Sequence, residues 1–308
     1  MGPRSHLSRI VVLVLLLLLP ASTWAEYCKS QGQNPLPRKE AKQYEDEAWL
    51  GPSEILASQR RHLPWGLPEP QCLRPAAVPL YHREYVVCYD LSRKVALWVS
   101  YRLESNDLDG VTRRNAFRTD PRVALDENPR CADYQSSGFQ RGHLVPSADM
   151  SRSRPTQANT FFLTNMAPQY GHLNSRAWGT LEDYVRAWAK KYGHVHVLTG
   201  SVFDRDGDGQ PDGSGQTRWT KPSKRVGVPS HFFKIVLRET SGGELVALTV
   251  LLPNKSTGLG KGEAFLRQNL TSVTRIRRAS GTDFFPELSV ATKAQLEQAV
   301  ASELWPRN

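Results

Sequence analysis

The sequence lacks a long apolar run and has fewer acidic than basic side chains. Its 308 residues include 30 Asp and Glu against 40 Lys and Arg, which gives a formal net charge of +10. The longest apolar stretch, Ile10 to Leu19, is too short for a membrane span of roughly 20 residues. A multi-pass membrane protein is therefore excluded. An acidic, disordered chain is excluded too, because 39% of the residues are hydrophobic and can bury a sizeable core.

The short apolar run has the arrangement of a secretory signal peptide. Arg4 and Arg9 precede the run, and the small residues Thr23 and Ala25 after it suit cleavage by signal peptidase. We expect cleavage after Ala25, since an uncleaved anchor would need a longer apolar stretch. Removal of residues 1–25 leaves 38 basic and 30 acidic residues, so the mature chain keeps a net charge of +8. It is expected to be secreted, extracellular or periplasmic, without stable membrane association.

Cysteines are few, and none forms the CxxC pair typical of zinc or redox sites. The four are Cys28, Cys72, Cys88 and Cys131. In an exported protein we expect two disulfides, although three pairings are possible and buried free thiols are the alternative. Asn254 and Asn269 begin glycosylation sequons, which matter only in a eukaryotic source.

A change in composition divides the mature chain. Residues 26–77 are polar and rich in proline, with little periodicity, which predicts an N-terminal extension that wraps the main domain and is tethered by a disulfide. Residues 78–308 are expected to form one α+β domain with a mixed or antiparallel sheet and flanking helices. Strands are predicted by β-branched and aromatic runs at 85–89, 94–103, 161–163, 194–202, 231–238 and 244–252. Helices are predicted by apolar spacing at 174–192 and 291–304.

The predicted helix over 174–192 carries polar residues suited to phosphate chemistry. Asn174, Glu182 and Arg186 lie near one side of it, so an amide, a carboxylate and a guanidinium could form a hard-metal and phosphate site. The alternative is an exposed Glu182–Arg186 pair beside a helix terminus.

The triplet Arg141-Gly142-His143 favours the functional interpretation. Glycine permits a tight turn, arginine offers a fixed positive fork for phosphate, and an ordinary histidine pKa of about 6.5 suits a general base. A base, a metal site and a phosphate clamp are the parts that a phosphodiester hydrolase needs.

Three motifs in this order resemble the DNA/RNA non-specific endonucleases, a family with a ββα-metal (His-Me finger) catalytic core. The family's Arg-Gly-His signature, its TN-x-x-PQ segment and its N-x(7)-E helix match residues 141–143, 164–169 and 174–182 in turn. Weaker similarity extends the match over about 80–290. The family usually has Asp before the triplet, whereas this chain has Gln140, which removes a negative charge near the expected base and metal.

The resemblance implies metal-dependent cleavage that leaves 5′-phosphate ends. His143 would be the general base that deprotonates the attacking water. Asn174 would bind Mg²⁺, or Mn²⁺, directly, and Glu182 would orient the waters of that ion.

The resemblance also implies residues that position the substrate. Arg141 and Arg186 would hold phosphate oxygens, and Asn165 would brace the site by hydrogen bonding. Relatives have a further phosphate-binding arginine shortly before an Asp-Pro step, for which Arg114 is the expected counterpart.

An acidic segment follows the predicted strand 194–202. It has the D-x-D-x-D-G-x-x-D spacing in which alternate oxygen ligands wrap Ca²⁺, although Gly215 replaces the Glu of a complete EF-hand. An acidic, solvent-exposed hairpin is the alternative. The expected ligands are Asp204, Asp206, Asp208, the backbone carbonyl of Gln210, and Asp212.

The sequence therefore predicts a secreted, Mg²⁺-dependent endonuclease that acts on DNA and/or RNA with little sequence specificity. Its positive charge suits phosphate contacts. A catalytically inactive module that binds polyanions or protein partners, and a small-molecule phosphodiesterase, are the alternatives. A substrate track, or merely a solvated basic face, could be formed by Lys190, Lys191, Arg218, Lys221, Lys224 and Arg225.

Overall fold

The computed structural model describes residues 25–29, 32–46, 49–213, 215–223, 225–260 and 262–307. The predicted signal peptide falls outside these residues except for Ala25, and Lys224 lies outside them as well. Among the helices described, none has the length and apolar character required to cross a bilayer.

Ten β-strands are present in the described part of the chain: β1 Ala77–Tyr81, β2 Val86–Asp90, β3 Val95–Glu104, β4 Gln140–His143, β5 Met166–Gln169, β6 His194–Val202, β7 Arg218–Trp219, β8 Gly227–Val228, β9 His231–Glu239 and β10 Leu245–Pro253. Six of them form a sheet in the order β1-β2-β3-β6-β9-β10, in which every neighbouring pair is antiparallel. The strands β4 and β5 form a separate hairpin, and β7 pairs with β8.

The α-helices described are α1 Arg38–Asp46, α2 Pro52–His62, α3 Cys131–Tyr134, α4 Arg154–Asn159, α5 Gly179–Tyr192, α6 Gly262–Gln268, α7 Val273–Ser280 and α8 Val290–Gln298. Together with the sheet they confirm the α+β expectation. The strands β4 and β5 and the helix that follows them supply the ββα unit.

Both faces of the sheet are buried, so each supports a layer of its own. Along β9, Phe232 and Val236 belong to one apolar cluster, which also contains Trp178 and Trp188 from the helix after β5. Residues 233, 235 and 237 point to the opposite face, as strand alternation requires, and pack in a second cluster with α7 and α8. The hairpin of β4 and β5 lies on the first face, where β3 contacts β5.

The predicted strand at 161–163 is wrong. Phe161 is in a turn, Phe162 makes only an isolated bridge to Arg118, and Leu163 begins a 3₁₀ turn. All three apolar side chains are fully buried, so a short hydrophobic run here reflects burial rather than strand pairing. The pairing strand, β5, begins at Met166.

Two predicted helices also differ from those observed. The helix predicted at 174–192 begins with a π-helical segment, Leu173–Trp178, and becomes α-helical at Gly179. The last helix is shorter than the predicted 291–304, because Ala299 takes an extended conformation after α8.

The N-terminal extension contains α1 and α2, which the sequence did not predict. Helix α2 packs on β3, where the ring Nδ1 of His62 accepts the N–H of Arg102 at 3.1 Å and the His62 carbonyl accepts the Ser100 hydroxyl at 2.5 Å. Two disulfides, Cys28–Cys131 and Cys72–Cys88, confirm the expected number of bridges. Each joins the segment 26–77 to the rest of the chain.

Candidate active site

The hairpin of β4 and β5 is built around Gly142. A Cβ atom at this position would collide with the side-chain amide of Gln169, which lies on the facing strand. Glycine therefore leaves the space that the buried Gln169 side chain occupies. The pairing places His143 opposite Met166 at the end of β4.

His143 is held in an aromatic enclosure. Its ring lies 4.8 Å from that of Phe161 and 5.7 Å from that of Phe117, between centroids, and its carbonyl accepts the indole N–H of Trp178 at 3.2 Å. Burial, followed by the charges of Arg113 and Arg141, holds the pKa of His143 well below its ordinary value. Within the described residues its Nε2 has no hydrogen-bond partner. A neutral imidazole with an uncommitted nitrogen is the form that a general base requires.

Asn165 is fully buried and joins the segment after β4 to the end of α4. Its Oδ1 accepts the N–H of Val145 at 3.0 Å, while Nδ2 donates to the carbonyls of Val145 at 3.0 Å and Thr160 at 2.8 Å. These contacts fix the chain immediately after His143.

A cleft of about 380 Å³ lies beside the hairpin and is lined in part by Gln140, Arg141 and Asn174. The Arg141 guanidinium lies 3.9 Å from the centroid of the Phe117 ring, so stacking fixes its plane. Asn174 donates from Nδ2 to Gln140 Oε1 at 2.8 Å. Gln140 can therefore orient the Asn174 amide without the negative charge that an Asp at this position would bring.

The π-helical segment changes which side chains share a face. A π-helix has i→i+5 hydrogen bonds and is frequent at functional sites. Trp178 is fully buried and packs 5.7 Å from Phe232, between ring centroids, whereas Asn174 lines the cleft. Asn174 and Trp178, which are four residues apart, therefore do not share one face as they would in a regular α-helix.

Glu182 lies in a group of charged residues with Asp149, Arg186 and Lys234, of which Asp149 and Lys234 are fully buried and the other two partly buried. Burial raises the pKa of Glu182, although the charge of Lys234 opposes this rise, and burial lowers the pKa of Lys234. Lys234 is fully buried, with Nζ 4.6 Å from the centroid of the Trp178 ring and, among the residues described, no hydrogen-bond partner. The ammonium therefore compensates the buried carboxylates.

Arg186 is engaged by carboxylates. Its Nη1 donates to Asp149 Oδ1 at 2.9 Å, and its Nη2 donates to Asp183. Asp149 also accepts the Tyr101 hydroxyl at 2.8 Å. These contacts connect the helix that bears Glu182 to the sheet.

The upstream arginine near His143 is Arg113 rather than Arg114. Arg113 lies 5.2 Å from the centroid of the Phe161 ring, and its charge lowers the pKa of His143. Burial lowers the pKa of Arg113 itself, and the charge of Glu182 opposes this change. Arg114 instead lies 3.6 Å from the Glu40 carboxylate and 3.4 Å from the carbonyl of Pro35. The sequence offered two adjacent arginines, and only the fold shows which one faces the site.

Sequence reasoning missed Asp149 and Lys234 as well. Lys234 had a signal, because it occupies the same strand face as the apolar Phe232 and Val236, where an unpaired lysine would be costly. Asp149 had no comparable signal. The acidic residues of 204–212 do not line the cleft.

Of the predicted basic track, Arg218 lies beside the cleft, 5.2 Å from the ring centroid of Phe139, one of the cleft residues. Lys221 donates to the carbonyl of Gln135, another cleft residue. Lys190 instead pairs with Asp109 at 2.5 Å.

Replacing Arg113 by alanine is expected to lower kcat/KM for nucleic acid cleavage by about 10-fold or more, because a partly desolvated positive charge beside the base is lost. Since that charge holds down the pKa of His143, the acid limb of the pH profile should also move to higher pH. The matched control is Arg114→Ala, which removes the adjacent charge and should leave kcat/KM within about threefold. A larger loss in the control than in Arg113→Ala would contradict this assignment.

The chain is similar in sequence and in fold to known nucleases. The chain is 38% identical over 220 residues to human mitochondrial endonuclease G, which covers 70% of this chain and 72% of the human protein. It is 33% identical over 223 residues to nuclease C1 of Cunninghamella echinulata var. echinulata, covering 70% and 86%. The solved structure of EndoG in complex with EndoGI matches 78% of this chain and 95% of its own, with a TM-score of 0.63 and 26% identity. The model of the DNA/RNA non-specific endonuclease family matches residues 69–291, and the chain belongs to that family.

Proposed function

We propose that this protein is a secreted endonuclease that requires Mg²⁺ or Mn²⁺, hydrolyses phosphodiester bonds in DNA and/or RNA with little sequence specificity, and leaves 5′-phosphate ends. The observation that carries the proposal is the buried, neutral His143, whose Nε2 is uncommitted within the described chain. Its strand neighbour Arg141 and the amide of Asn174 both line the adjacent cleft.

The residues present fit a hard divalent cation. Asn174 directs Nδ2 to Gln140, which turns its carbonyl oxygen away from that bond and toward use as a ligand. Glu182 can supply a carboxylate, because the charges of Lys234 and Arg186 oppose the rise in its pKa that burial causes. Asn174 would hold the ion directly and Glu182 would orient its waters. When bound, the cation would neutralise charge that develops on the phosphate and on the leaving oxygen.

The side chains have separate parts in the reaction. The His143 imidazole would take a proton from the water that attacks phosphorus, and the aromatic enclosure keeps it neutral and in place. Arg141, stacked on Phe117, would hold a phosphate oxygen. Arg186 is bound by Asp149 and Asp183, so its part is to position the helix that bears Glu182 more than to grip the substrate.

Substrate and location rest on charge and disulfides. A mature net charge of +8 favours sequence-independent contacts with nucleic acid phosphates. The two disulfides suit an oxidising compartment, as expected for an exported chain, although several relatives are mitochondrial by name.

The proposal is tested by incubating the purified mature chain with plasmid, single-stranded DNA, RNA and a chromogenic bis-aryl phosphodiester, with Mg²⁺ or with EDTA. We expect internal cleavage of DNA, of RNA or of both, and only when the metal is present. Because the ends should carry 5′-phosphates, they should be ligated without prior phosphorylation. Binding of DNA without any cleavage would support the inactive module instead. Hydrolysis of the small diester alone would support the phosphodiesterase.

A further inference from the structure

The loop that joins β6 to β7 contains a second oxygen-rich site, separate from the cleft. The side-chain oxygens of Asp204, Asp206 and Asp208 can all lie within 4.8 Å of one another. Gly207 and Gly209 adopt positive φ angles of 76° and 81°, which allow the chain to curl so tightly. The alternating aspartates of the sequence thus lie close together in the fold.

Asp204 gives the observation that points to a ligand. Its side chain is only 7% exposed, and while Oδ2 accepts the N–H of Gly209 at 3.2 Å, the buried Oδ1 has no hydrogen-bond partner in the described residues. A buried carboxylate oxygen without a partner is costly unless a cation binds it. Within the ranges described, none of these three carboxylates forms an ion pair with a basic side chain.

Asp212, which was also predicted as a ligand, is placed differently. The Asp212 carboxylate accepts the backbone N–H of Arg205 at 3.1 and 3.0 Å and is not a member of the close carboxylate group. The N–H of Gln210 donates to Asp208 Oδ1 at 2.8 Å. The side-chain ligand set is therefore smaller than the sequence indicated.

We propose that Asp204, Asp206 and Asp208 bind one Ca²⁺ ion. Three carboxylates on a flexible, glycine-containing loop, with waters in the remaining positions, suit Ca²⁺ better than Mg²⁺, which demands stricter octahedral geometry. The ion closes the β6–β7 loop by cancelling the repulsion between the three charges.

The calcium site is connected to the rim of the substrate cleft. Arg93 donates from Nη2 to the carbonyl of Asp212 at 3.0 Å and from Nε to the Thr217 hydroxyl at 3.2 Å, so the end of the loop is held beside β7. The next residue, Arg218, lies over Phe139 at the cleft. The Asp212 carboxylate also accepts the N–H of Arg205, which lies between two of the ligands, so calcium orders the segment that presents Arg218 without taking part in bond cleavage.

The test is a calorimetric titration of the metal-free mature chain with Ca²⁺ alone. We expect one ion per chain, with a Kd on the order of 10⁻⁵ to 10⁻³ M. Asp204→Asn and the exposed Asp208→Asn should each weaken binding by about 10-fold or more, whereas Asp126→Asn, a charge-matched change on an exposed residue elsewhere, should not. Absence of binding in the wild type, or unchanged affinity in both loop variants, would overturn the proposal.

A variant of the proposed catalytic metal ligand distinguishes the loop site from the catalytic site. In Asn174→Ala the same Ca²⁺ affinity is expected, even though nuclease activity is lost. Calcium should also slow tryptic cleavage at Arg218 by about 10-fold in both the wild type and Asn174→Ala, but not in Asp204→Asn. Loss of binding in Asn174→Ala with retention in Asp204→Asn would place the ion at the catalytic site and refute the loop site.

Discussion

His143→Ala is expected to lower the rate of nucleic acid cleavage by about 10²- to 10⁴-fold, the contribution typical of a positioned general base. The ring contacts Phe117 and Phe161, and within the described chain no residue is hydrogen-bonded to Nε2 and could replace it as the base. Metal-dependent cleavage at saturating substrate, followed on plasmid and RNA, is the measurement. A variant that retains more than about a tenth of the wild-type rate would remove His143 from the mechanism.

The matched control is His194→Ala at the start of β6, a partly exposed histidine that does not line the cleft. It should retain near wild-type activity. Thermal unfolding of both variants tests whether the loss in His143→Ala is chemical, because a folded but inactive protein is the expected result. A drop in Tm large enough to unfold the variant at the assay temperature would leave the rate loss attributable to folding, and His143→Gln, closer in size, then decides between the two.

The pH profile carries independent information about the same residue. Because burial and two neighbouring arginines lower the pKa of His143, the imidazole is neutral at and above about pH 6.5, the ordinary histidine value. Protonation of this base should therefore reduce kcat/KM only below that pH, as the pH falls through the lowered pKa. An acid limb centred above about pH 7 in the wild type would contradict the assigned electrostatics. So would an acid limb that does not move to higher pH in Arg113→Ala.

The sequence could predict elements whose pattern is local. Strand β6 was predicted with its observed bounds, and β9 and β10 to within one residue, because continuous apolar runs in a sheet buried on both faces stand out from their polar flanks. The Arg-Gly-His triplet likewise identified candidate site residues, since its chemistry lies within three residues, but the strands β4 and β5 that form the hairpin were not among the predicted strands.

Features that depend on distant contacts could not be predicted. Arg113 rather than Arg114 lies near His143, because Arg114 pairs with Glu40 of the N-terminal extension. The π-helical turn at Asn174 has no propensity signature, and the pairing of Cys28 with Cys131 depends on folding of a segment more than a hundred residues away. Each of these was decided by tertiary structure.

Lys234→Met is expected to lower the free energy of unfolding by about 3–5 kcal/mol, because the change leaves the buried carboxylates of Glu182 and Asp149 with one positive charge fewer. Methionine preserves the apolar stem against Trp178, so the loss reports charge more than volume. Urea unfolding is the measurement. The effect should be larger at pH 8.5 than at pH 6, since Glu182 without its counter-charge has a still higher pKa and its ionisation at high pH destabilises the fold.

Cleavage should fall together with stability in Lys234→Met, because loss of the Lys234 charge raises the pKa of Glu182 further and leaves less of the carboxylate ionised to orient the waters of a divalent cation. The double variant Lys234→Met/Glu182→Gln separates the two effects. It removes both members of the buried pair, so it should recover at least about 1 kcal/mol relative to the sum of the single variants, yet remain inactive. Additive losses of stability would show that Lys234 and Glu182 do not interact. Recovered cleavage in the double variant would show that the Glu182 carboxylate is dispensable and that Lys234 affected activity through folding alone.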